Sequence, residues 1–81
     1  MRYLRGLREA RERALLTQQT LSERSGVTVS TISRLENGLQ AARVDTIGRL
    51  AAVVGVAPED LIDWERQGPR IGVRSKGKAA A

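Results

Sequence analysis

The chain contains no cysteine and no histidine. Without cysteine there is no disulfide framework and no thiolate metal site. Without histidine the commonest general base and the imidazole metal ligand are missing as well. The two absences argue against an enzyme, and no catalytic residue, cofactor or metal is assigned. Phenylalanine is also absent, and Tyr3 and Trp64 are the only aromatics. The core must therefore rest on Leu, Ile, Val and Ala. No apolar run approaches the roughly 20 residues of a transmembrane helix. The start, Met1 to Leu7, carries Arg2 and Arg5 rather than the apolar stretch of a signal peptide. A cytoplasmic protein with no membrane partner is expected. Eighty-one residues suit one small domain, whose modest core would gain from dimerisation.

What is present is positive charge, unevenly spread. Residues 1–43 hold eight Arg and four Glu, a balance of +4; residues 44–65 hold one Arg and five acids, a balance of −4; residues 66–81 hold three Arg, two Lys and no acid, a balance of +5. A basic front, an acidic middle and a basic end point to one surface turned toward a polyanion. The acids Glu59, Asp60 and Asp63 suit a helix start better than a cation site.

Apolar residues recur at helical spacing almost throughout, which predicts an all-α fold. Leu4, Leu7, Ala10 and Ala14 line a first helix over roughly residues 2–15. Thr17 is the N-cap of a second helix, 18–25, with Leu21 and Ser22 inward, and Gly26 follows it. Thr28 caps a third helix that runs to about Asn37 and stops at Gly38. A fourth helix spans 44–54, with Ile47, Leu50, Ala51 and Val54 inward. Pro58 with Glu59 and Asp60 opens a fifth helix carrying Leu61, Ile62 and Trp64. The domain is placed at 1–66. Residues 67–81, rich in Gly, Ala, Lys and Arg, read as a flexible basic tail, with Arg70–Val73 the one stretch that suits a short strand.

The informative stretch is TQQTLSERSGVTVSTISRLENG, residues 17–38. Two short helices joined by a few residues including glycine form a helix-turn-helix. Ser22 is small where the next helix must pass, Gly26 makes the turn, and Ile32 fills the space between the helices. At about 100° per residue, Ile32 and Leu35 mark the buried side of the third helix, residues 28–37. Ser30, Ser33, Arg34 and Asn37 then point the other way, with Thr31 at an edge. Small hydroxyls around one Arg make a poor protein interface but suit base edges, where Arg forks onto guanine and Ser or Thr donates or accepts.

Residues 4–64 resemble the Cro/phage-repressor type of DNA-binding domain, the XRE family, most closely along LTQQTLSERSG and GVTVSTISRLENG. The resemblance implies a compact five-helix lambda-repressor-like fold and a bacterial or phage origin. It further implies a homodimer and a third helix in the major groove of a double-stranded DNA operator. By family position Val29, Ser30 and Arg34 read bases, joined here by Thr31 and Ser33. Val29 either touches a thymine methyl or packs against a neighbouring helix. Gln18 at the start of the second helix matches the family's phosphate-contacting glutamine. Thr28, Asn37, Gly38 and Arg43 are the further phosphate contacts.

Glu36 lies about 40° from Ile32 and so on the buried side, where a lone carboxylate is costly. Arg11 is one turn after Leu7 and faces the same core edge. The resemblance implies that the two pair as a salt bridge, with Arg11 also reaching a phosphate. Three departures stand out. Arg43 replaces a hydroxyl N-cap, Ala10 replaces a larger apolar residue, and Leu15 replaces a helix-ending glycine, so the first helix is expected to run on. Dimer contacts are expected at Leu39, Ile62 and Trp64, with a cap over the intramolecular core as the other role for Trp64. The leading reading is a transcriptional regulator, a repressor first. The alternative is an antitoxin that autoregulates its operon, with a toxin or other protein as partner and the tail folding on it.

Overall fold

The computed structural model describes residues 1–67. Two of its helices begin where a hydroxyl side chain serves the free N–H groups of a first turn. Thr17 Oγ1 accepts the N–H of Thr20 at 3.0 Å, and helix α2, Gln18–Ser25, starts one residue later. Thr28 Oγ1 accepts the N–H of Thr31 at 3.2 Å, and α3, Val29–Glu36, follows in the same way. Helix α4, Val44–Val54, has the expected bounds, and Arg43 at its N-cap makes no side-chain capping bond.

These helices bury a largely aliphatic core. Leu7, Leu21, Ile32, Leu35, Ile47, Leu50 and Leu61 have almost no exposed side-chain surface. At roughly 1.5–3 kcal/mol for each large aliphatic residue fully buried, they dominate the drive to fold. Ala10 adds little volume but is itself buried. On α2 the buried serine is Ser25, not Ser22, which stays half-buried. Ser25 Oγ accepts the N–H of Val27 at 3.2 Å and so holds the turn between α2 and α3.

Both ends of the described chain depart from the all-α, five-helix expectation. The first helix, α1, covers only Leu7–Arg13, and residues Arg2–Leu4 form a strand, β1. Gly6 separates them at φ 81, a left-handed conformation that would break a continuous helix. Nor does α1 run on past Leu15. Leu15 itself takes φ 60, the left-handed position that glycine usually fills, and lies 91% exposed.

The expected fifth helix is a single 3-10 turn, Pro58–Asp60, followed by a second strand, β2, Ile62–Gln67. Pairing with β1 holds this stretch extended, and Asp63 Oδ1 accepts the N–H groups of Glu65 and Arg66, both at 3.1 Å. A side chain that takes neighbouring backbone donors competes with the helical ladder. β2 pairs antiparallel with β1, Leu4 opposite Ile62 and Arg2 opposite Gln67, with a register irregularity between. On its other edge β1 exchanges two backbone hydrogen bonds with Ala42, at 2.8 and 2.7 Å. The described residues thus form four α-helices and a short two-stranded sheet that ties residues 2–4 to residues 62–67. The proposed tail beyond Gln67, with the strand at 70–73, lies outside the described residues. Among those described, no helix is long and apolar enough to cross a membrane.

Candidate nucleic-acid interface

Helix α3 divides its residues by period. Ile32 and Leu35 are buried, Ser30 and Arg34 are exposed, and Val29, Thr31 and Ser33 are half-buried between them. The polar face is held in place by its own ends. Thr28 Oγ1 donates to Thr31 Oγ1 at 3.0 Å, and Asn37 Nδ2 donates to the Ser33 carbonyl at 2.8 Å. Arg34 Nη1 donates to Gln40 Oε1 at 3.3 Å, a neutral partner that leaves its charge uncompensated. A guanidinium so placed keeps donors for a bidentate acceptor.

Beneath this face Glu36 gathers three side chains. Its own side chain has no exposed surface. Arg11 Nε donates to Oε2 at 2.7 Å and Arg11 Nη2 to Oε1 at 3.4 Å. Gln18 Nε2 donates to Oε1 at 2.9 Å, and Arg8 Nε reaches the same oxygen at 3.5 Å. Burial pushes the Glu36 carboxyl up, but the bonds from Arg11 and Gln18, the Arg11 charge and the Arg8 bond together outweigh it. The carboxyl therefore sits below its ordinary range. The hydrogen bond to Glu36 raises Arg11 in turn. The first, second and third helices thus meet at one carboxylate.

Arg11 commits its remaining edge internally too, Nη1 donating to the Leu16 carbonyl at 2.9 Å, and its side chain is only 12% exposed. Arg8, one turn earlier, is 52% exposed and also donates from Nη2 to Asn37 Oδ1 at 3.3 Å. Sequence reasoning misses Arg8, although the spacing of Arg8 and Arg11 puts both on one side of α1. It also misses Gln40, which steadies Arg34, because nothing local marks a residue in a loop as a partner for one six positions before it.

Thr28 and Arg43 are exposed, as is Asn37, while Gly38 is half-buried. Among the expected dimer residues, Leu39 is 74% and Trp64 54% exposed. Ile62 is half-buried and packs against the core. Trp64 sits on β2 rather than on a helix, with its indole N–H donating to the Glu59 carbonyl at 3.1 Å and Arg2 over its ring at 5.1 Å. A second stack joins the two strands, the Arg66 guanidinium lying 3.9 Å from the Tyr3 ring centroid, and no sequence signal marks that pair.

Neither a curated protein nor a solved structure matches the chain. The pattern that defines a helix-turn-helix family matches residues 7–61, more than half of the chain, from the start of α1 through the end of the 3-10 turn. That span contains the capped helix pair, the polar face of α3 and the Glu36 cluster beneath it. The chain belongs to the XRE-type helix-turn-helix family, a family of DNA-binding transcription regulators.

Proposed function

We propose that this protein is a transcriptional repressor that binds a pseudo-palindromic operator as a homodimer, with α3 in the major groove. The observation that carries the reading is the outward face of α3. Ser30 and Arg34 stand exposed there, and among the described residues Arg34 meets the neutral Gln40 and no carboxylate within ion-pair distance. Such a face has little apolar area to bury against protein, but it supplies a forked donor for guanine and hydroxyls for other base edges. Thr31 and Ser33 flank it, and Val29 meets a thymine methyl at its half-buried edge. One bidentate arginine contact discriminates against a wrong base by about 1–3 kcal/mol.

Around that face we assign backbone contacts to Gln18, Thr28, Asn37, Gly38 and Arg43. Gln18 binds Glu36 through Nε2, which still has a second hydrogen, and a helix start favours an anion. The phosphate role expected of Arg11 passes in this reading to Arg8, because Arg11 is committed inside the protein and Arg8 is not. Leu39 and Trp64, both apolar and exposed, are the dimer contacts, with Ile62 behind them. A repressor needs only to occupy its site, and a dimeric DNA-binding domain suffices for that. Selection of bound duplexes from a random library tests the reading. The expected product is a site with two inverted half-sites whose centres lie about 34–36 Å apart, one turn of duplex. Recovery of unrelated sequences, or of single half-sites at saturating protein, would contradict it.

A further inference from the structure

Three guanidinium groups converge on the four residues that follow the recognition helix. Arg34 of α3 binds Gln40, Arg8 of α1 binds Asn37, and Arg66 of β2 stands over Gly38. The turn itself, Asn37-Gly38-Leu39-Gln40, contains no acid. Arg66 differs from the other two in how it is held. Its guanidinium lies against Tyr3, 3.9 Å from the ring centroid, and no carboxylate among the described residues lies within ion-pair distance of it. Stacking uses the face of the guanidinium and leaves the N–H edge open. The backbone at Gly38 makes room for that edge. A Cβ there would come 2.8 Å from Arg66 Nη1, and φ 70 already favours glycine.

We propose that Arg66, mounted on Tyr3, is a phosphate clamp that grips the DNA backbone beside the turn closing the recognition helix. Both residues lie outside the span that the family pattern matches, so the contact enlarges the interface beyond the helix-turn-helix. The proposal rests on the DNA-binding reading and adds to it a position and a device. An arginine on a flexible stem loses rotamer entropy when it grips a phosphate, and a stacked one has already lost most of it. The forked N–H edge suits a phosphate's paired oxygens, and with no competing acid among the described residues the full charge is left for DNA. The short sheet thereby acquires a use, because pairing β1 with β2 is what brings residue 3 beneath residue 66.

The test is the salt dependence of binding by the full chain to its selected operator, measured by fluorescence anisotropy for wild type, Arg66→Gln and Arg66→Lys. Each neutralised phosphate contributes about 0.9 to the slope of log K against log salt. Arg66→Gln should make the slope shallower by about 0.9 for each chain on the duplex, and Arg66→Lys, which keeps the charge, should restore it. Melting curves in the same buffers check that both variants are folded. Variants that keep the wild-type slope while melting earlier would show that the stack only braces the sheet, and would overturn the proposal while leaving DNA recognition intact. A wild-type chain that selects no duplex at all would instead remove the reading on which the proposal rests.

Discussion

Removing Arg11 should damage this domain far more than removing an ordinary surface arginine. Glu36 has no exposed side-chain surface, and Arg11 makes its shortest contact at 2.7 Å. After Arg11→Ala the carboxylate keeps only the neutral Gln18 donor at 2.9 Å and the Arg8 contact at 3.5 Å. Truncating one partner of a buried pair costs about 3–5 kcal/mol, because the other charge stays buried. Arg8 is half exposed and free to move closer, which puts the loss near the low end, about 3 kcal/mol. For a domain of this size each kcal/mol shifts Tm by about 4–8 °C, so the fall should be roughly 12–24 °C. Glu36→Ala should cost less, since Arg11 keeps the Leu16 carbonyl and reaches solvent. The double variant should then be more stable than the sum of single losses allows, by about 1–3 kcal/mol. Urea denaturation followed by circular dichroism measures all four chains of the cycle. Losses that add within about 0.5 kcal/mol would refute the reasoning. The same pair predicts a pH effect with a definite sign. The folded pKa of Glu36 is depressed, so its contribution is complete at neutral pH and is lost as pH falls below the ordinary value of 4.5 through the lowered one. The stability gap between wild type and Glu36→Ala should close over that acid range.

Leu15→Gly should stabilise the protein. The left-handed backbone at Leu15 costs about 1–2 kcal/mol and the side chain is 91% exposed, so after the entropy cost of glycine a net gain of about 0.5–1 kcal/mol should raise Tm by a few degrees; an unchanged or lower Tm would contradict this. Leu39→Glu and Trp64→Glu should shift sedimentation from dimer to monomer while the helical circular dichroism is kept, because both side chains are exposed within the single chain. Deleting residues 70–81 removes Arg70, Arg74, Lys76 and Lys78 and should make the salt slope of DNA binding shallower by up to roughly 3–4 for each chain on the duplex, leaving the preferred site unchanged. Loss of dimerisation at an unchanged slope would mean instead that this segment, through Ile71 and Val73, serves a protein contact.

How far the sequence could be read depends on the range of the interactions concerned. The bounds of α2, α3 and α4 follow from local signals, Thr17 and Thr28 as caps and apolar residues three and four apart. The sheet depends on residues some sixty positions apart and left no such mark. Leu4 is buried in either a helix or a strand, so its burial could not distinguish them. Pro58-Glu59-Asp60 has the composition of a helix start, and it is pairing with the distant β1 that takes residues 62–67 into β2. At the site, helical period alone put Glu36 beside Ile32 and Arg34 opposite it. Arg8 is legible from its place one turn before Arg11, but that Gln18 shares the same carboxylate, and that Arg66 lies on Tyr3, are products of tertiary packing, which no spacing encodes.

Base reading by α3 through Arg34 is open to a direct measurement, the affinity of wild type and Arg34→Ala for the selected operator and for a scrambled duplex of equal length, at one salt concentration. A base-reading Arg34 predicts a loss of about 1–3 kcal/mol on the operator, roughly 5–150-fold, with relaxed preference at one base pair in each half-site and a much smaller loss on the scrambled duplex. An equal loss on both duplexes would make Arg34 a phosphate contact and contradict the assignment of the reading face.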